Sequence, residues 1–85
     1  MRIISGSLKG RRLLTPLWNG LRPSSDKLRE TLFNILGEQV RDTCVLDAFA
    51  GTGALGIEAI SRGAETAVFI ESDKRATRLI ENNLE

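Results

Sequence analysis

Two carboxylates and a glycine run are the residues whose types and spacing could do chemistry together. Asp47 follows the apolar stretch Cys44-Val45-Leu46, and Gly51-Thr52-Gly53-Ala54-Leu55-Gly56 then spells G-x-G-x-x-G. Glu71 lies twenty residues beyond Gly51. Glycines let a strand turn sharply into a helix and let backbone N–H groups approach a ligand with no Cβ in the way. An acid about 20 residues on, at the end of the next strand, can accept both hydroxyls of a ribose. The chemistry implied is the holding of a nucleoside cofactor. A tight turn that binds nothing would not require Glu71 at this position.

Asp47 discriminates among such cofactors. In a dinucleotide site the strand entering the turn is apolar and the turn cradles a pyrophosphate. A carboxylate four residues before Gly51 would repel those phosphates. S-adenosylmethionine has no phosphate and carries an ammonium and a sulfonium, which an acid attracts. Its carboxylate can lie against the glycine amides. The residues therefore favour S-adenosylmethionine over a nicotinamide dinucleotide. A buried Asp47 that caps turn amides is compatible with this.

The elements that must position these residues are legible as periods and stops. "CVLDAFA" and "TAVFIE" read as buried parallel strands, the first covered on both faces. "ALGIEAISRG" reads as the helix between them, ending at Gly63, and Ser72 or Asp73 as the cap of a last helix with Ala76, Leu79, Ile80 and Leu84 inward. Asn82-Asn83 reads as part of its solvated face, and Cys44 as a small apolar filler. Upstream, Ser24 or Ser25 caps a helix with Leu28, Leu32, Phe33, Ile35 and Leu36 on one face, stopping at Gly37. "LWNGLRP" reads as a loop, in which Trp18 stacks on a base or packs locally. "MRIISGSLKGRRLLTP" reads as a hairpin. The fold class is α/β: an N-terminal β-hairpin, then the first βαβα part of a larger sheet. The divisions are 1–21 (basic arm and loop), 22–43 (helix before the glycine turn) and 44–85.

Composition narrows the class. The 85 residues include no histidine and one cysteine, which leaves no Ser–His triad within the chain, no internal disulfide and almost no soft metal ligands. No cleavable leader is expected, because Lys9, Arg11 and Arg12 interrupt any apolar start. A reducing, cytoplasmic setting is the expectation. The net charge of +1 conceals an asymmetry. Residues 1–29 hold seven basic side chains against Asp26 alone, and the remainder holds ten acidic against five basic. A basic arm on an acidic body is suited to a polyanion.

"DAFAGTG" with Glu71 resembles the first two motifs of Rossmann-like, S-adenosylmethionine-dependent methyltransferases. "RPSSDKLRETLFNIL" (22–36) is similar to a signature of the bacterial 16S rRNA guanine-N2 methyltransferase family, and the opening hairpin and "GALGIEAISRGA" resemble that family's as well. The resemblance implies methyl transfer to guanine N2 in 16S rRNA or the small ribosomal subunit. It implies cofactor contacts from Asp47, Phe49, Ala50, Gly51, Gly53 and Glu71, closure over the cofactor by Arg22, Pro23 and Ser24, and RNA contacts from Lys9, Arg11 and Arg12. The family's catalytic motif, Asn or Asp followed by Pro-Pro and an aromatic, is absent, since Pro16 and Pro23 are not adjacent. The expectation is the front part of a seven-stranded methyltransferase, inactive alone, with no catalytic residue of its own and a sheet edge open to self-association. Alternatives are a methylase of another base in DNA or 23S rRNA, a nicotinamide-dependent oxidoreductase fragment, or a non-catalytic RNA-binding module.

Overall fold

β1 (Cys44–Ala48) and β2 (Thr66–Ile70) pair in parallel, Asp47 opposite Phe69, and α2 (Ala54–Ser61) makes the crossover between them. The computed structural model describes residues 1–14, 25–48 and 50–84. Ahead of the sheet, α1 (Asp26–Leu36) runs into a 3₁₀ turn (Gly37–Val40), and α3 (Lys74–Leu84) follows β2. The expected helix-βαβα order is present. The loop 17–23, Trp18 included, lies outside the described residues.

Local chemistry accounts for the ends. The Ser25 hydroxyl accepts the Leu28 N–H at 3.0 Å, closing the first turn of α1. Gly37, at φ +54°, stops it. Asp73 Oδ1 accepts the Arg75 N–H at 2.8 Å and caps α3. Hydrogen bonds from the Arg75 guanidinium, and after them that backbone bond, hold the Asp73 carboxyl below the usual carboxylate range.

α2 is buried on most of its circumference. Gly56 packs against the sheet so closely that a Cβ there would sit 2.7 Å from Phe69 Cζ. Ala59 meets Phe33, Val40 and Ala64 in one core cluster. Ala54 and Ile57 meet Ile3 and Leu13 of the N-terminal arm in the other. The arm is a minimal hairpin with one antiparallel bridge, Arg2 to Arg12. Ile3 N–H donates to Arg11 O and Leu13 N–H to Met1 O, each at 2.9 Å.

Polar side chains fasten the arm to α2. Glu58, fully buried, accepts Ile4 N–H at 2.9 Å and Ser5 N–H at 3.1 Å, and pairs with Arg62 at 2.9 Å. Ser61 Oγ donates to Ser5 O at 2.6 Å and accepts Leu8 N–H at 2.9 Å. Arg29 of α1, also fully buried, lies 3.8 Å from Glu58, donates to Arg2 O at 2.9 Å and pairs with Asp26.

Four expectations are corrected. The inward stripe of α1 is Arg29 and Phe33, while Leu28, Leu32 and Ile35 are exposed, because the Glu58 carboxylate draws Arg29 inward. Leu84 is exposed and Asn83 takes the inward place, where backbone groups await it. The strands are covered on one face only. Val45, Asp47, Ala67 and Phe69 face the helices, while Leu46 is 63% exposed and Val68 and Ile70 are about half exposed. A two-stranded sheet offers nothing to cover that second face among the described residues. Cys44 shares that face and is exposed rather than a core filler.

Candidate functional site

The site is built at the carboxyl ends of both strands, where an α/β crevice receives its ligands. After Ala48, Ala50 N–H donates to Ile70 O at 2.9 Å and hooks the loop onto the end of β2. Gly51 and Gly53 take φ values of +59° and +82°, which other residues adopt with strain. Gly53 N–H donates back to Ala50 O at 2.9 Å, making the tight turn. Thr52, between them, is buried.

The two acids hold the glycine run at its first and last glycines. Glu71 Oε1 accepts Gly51 N–H at 2.8 Å, and its Oε2 accepts Asp73 N–H at 3.1 Å. Asp47 Oδ2 accepts Gly56 N–H at 3.1 Å, inside the first turn of α2. Burial pushes the Asp47 carboxyl above the usual range; the Gly56 N–H opposes this and the negative charge of Glu71 adds to it. Two carboxylates that feel each other across a glycine loop make a place where a positive group is favourable and a pyrophosphate is not.

Of the expected cofactor residues, Asp47, Ala50, Gly51, Gly53 and Glu71 come together in this structure. Phe49, Arg22, Pro23 and Ser24 lie outside the described residues. Lys9 and Arg12 are exposed and Arg11 half-buried on the arm. No group of three or more His, Cys, Asp or Glu side chains among the described residues could hold a metal. No helix among them is long and apolar enough to cross a membrane.

Reading the sequence missed Asn83, Glu58, Ser61 and Arg29. Asn83 is buried on α3 and donates through Nδ2 to Thr52 O at 3.0 Å, inside the glycine loop. Its signal was position: it lies on the stripe of Ala76, Leu79 and Ile80. Glu58 was signalled by Arg62 four residues on, the spacing of a helical ion pair.

A parallel βαβ unit, with this loop and an acid at the end of each strand, defines an α/β chain of the Rossmann-like methyltransferase type. Known proteins agree. Ribosomal RNA small subunit methyltransferase D of Escherichia coli (strain K12) is 49% identical over 84 residues, covering 99% of this chain and 42% of that protein. YlbH of Bacillus subtilis (strain 168) is 45% identical over 84 residues, 99% of this chain and 46% of its own length. The solved structure of yhhF from Escherichia coli superposes with a TM-score of 0.88 at 44% identity, over 99% of this chain and 44% of that one. The chain belongs to the family described as conserved hypothetical protein 95, whose model matches residues 1–85. It spans less than half the length of these relatives.

Proposed function

We propose that residues 1–85 are the donor-holding part of an S-adenosylmethionine-dependent enzyme that methylates guanine N2 in 16S rRNA in the cytoplasm. The observation that carries this is the acid pair on the glycine run: Asp47, buried and bonded to Gly56 at 3.1 Å, and Glu71, bonded to Gly51 at 2.8 Å. The donor set fits a cationic nucleoside. Each Glu71 oxygen spends one lone pair on a backbone amide and keeps another for a ribose hydroxyl.

When bound, S-adenosylmethionine supplies a methyl group already activated as a sulfonium. The chain's own residues then have a holding role. Glu71 takes the ribose, Asp47 faces the positive end, and the loop at Ala50, Gly51 and Gly53 gives backbone amides. Phe49 and the segment Arg22-Pro23-Ser24 complete the enclosure in this reading. Lys9, Arg11 and Arg12 engage rRNA phosphates. Orienting the guanine falls to residues outside these 85, because they contain no Pro-Pro-aromatic sequence. Catalysis of this kind is mainly positioning.

Calorimetry on the natural full-length chain tests the reading. S-adenosylmethionine is expected to bind and NAD not. Equal binding, or binding of NAD alone, would overturn it. The 85 residues alone are expected to transfer no methyl group. They are also expected to self-associate through the open edge of β2, which light scattering reads.

A further inference from the structure

Asn83 is the feature that neither the donor site nor the core accounts for. Its side chain is 3% exposed and its amide makes three hydrogen bonds. Oδ1 accepts Leu14 N–H at 2.6 Å, and Nδ2 donates to Leu14 O at 3.3 Å and to Thr52 O at 3.0 Å. The pair of bonds to Leu14 is what a neighbouring strand's peptide would offer. The third bond enters the glycine loop.

We infer that Asn83 is a positioning residue that locks the N-terminal arm to the glycine loop, so that rRNA engagement by the arm and donor binding by the loop are energetically coupled. This rests on the methyl-donor and rRNA reading above. Two observations support it. Among the described residues the arm's side-chain tethers through Glu58, Ser61 and Ser7 run to α2, and Arg29 of α1 reaches Arg2 O, whereas the Asn83 amide bridges Leu14 and Thr52. The Thr52–Gly53 peptide is planar, so the bond that holds the Thr52 carbonyl also sets the Gly53 N–H, which closes the turn on Ala50 O.

Only an amide satisfies all three partners. A carboxylate at 83 would present oxygen to the two carbonyls of Leu14 and Thr52, and alanine would leave all three backbone groups without this partner.

The test measures S-adenosylhomocysteine affinity in the full-length chain, with and without protein-free 16S rRNA. In the unaltered chain rRNA is expected to change that affinity by about fivefold or more, the lower end of ordinary coupling. In Asn83→Ala and Asn83→Asp the change is expected to fall within about twofold. Val40→Ala, in the other core cluster, should lower the melting temperature and keep the coupling. Independent binding of the two ligands in the unaltered chain, retained coupling in the Asn83 variants, or equal loss in Val40→Ala would each overturn the inference. Failure of either ligand to bind the unaltered chain would instead defeat the underlying reading.

Should the variants not fold, amide exchange on the unaltered chain decides. S-adenosylhomocysteine is expected to slow the Leu14 N–H about tenfold or more. An unchanged rate would overturn the coupling.

Discussion

Glu71 and Gly51, twenty residues apart, are joined by a carboxylate-to-amide hydrogen bond of 2.8 Å. The same carboxylate receives the Asp73 N–H at the entrance to α3. One side chain thus sets the loop after β1 and the helix after β2. In the proposed function the same carboxylate also holds a ribose, so loop shape and donor binding would depend on it together.

Glu71→Ala is expected to weaken S-adenosylmethionine binding by about 1.5–3 kcal/mol, the range for losing a hydrogen bond to a charged group. Glu71→Gln keeps an acceptor for Gly51 N–H and should lose less. Calorimetry on the full-length chain reads both, and unchanged affinity in the alanine variant would remove Glu71 from the ribose role.

Asp47 sets a pH dependence whose sign follows from its burial. Its folded carboxyl ionises above the ordinary 3.8, so the folded state binds that proton more tightly than the unfolded one. The stability it contributes is fully present below pH 3.8 and is lost as pH rises through the raised folded value. Asp47→Asn should therefore raise the melting temperature of the ligand-free protein at neutral pH and lower its affinity for the cationic donor. Thermal melts from acid to neutral pH, with donor titrations beside them, check both halves.

Gly56 has no room for a side chain beside Phe69. Gly56→Ala is expected to cost about 1–3 kcal/mol by overpacking. Adding Phe69→Leu should recover part of that loss. Urea unfolding of the single and double variants measures the coupling, and strict additivity would show that the ring is not the obstacle.

The arm's basic side chains have a different signature. Replacing Lys9, Arg11 and Arg12 together by alanine should weaken rRNA binding and flatten its dependence on salt, by about one unit of log–log slope for each phosphate no longer neutralised. A filter-binding series over salt concentration gives the slope. An unaltered slope would move the RNA-binding surface elsewhere.

The order of elements was legible because glycines, caps and changes of period punctuate this chain. Ser25, Gly37, Gly53, Gly63 and Asp73 all mark ends where expected. So was the meeting of Asp47 and Glu71 at one edge, since parallel strands bring their carboxyl ends together. The inward polar residues were passed over. A periodicity reading sends charge and amide outward, so Arg29, Glu58 and Asn83 were not read as inward, although Asn83 lies on the buried stripe of α3 and Glu58 stands four residues before Arg62. Strand cover was misread for a related reason. An apolar run such as Cys44-Val45-Leu46 reports affinity for burial and says nothing of how many layers are at hand. The arm's hold on α2 depends on pairs more than fifty residues apart, beyond the reach of any local pattern.

That separation has a consequence during synthesis. Ile4 waits for Glu58, 54 positions later, and at about 5–20 residues per second the delay is roughly 3–11 s. Through that interval the basic arm lacks the α2 carboxylate that its Ile4 and Ser5 amides bond in the finished fold, so the arm is seated only after α2 has been made.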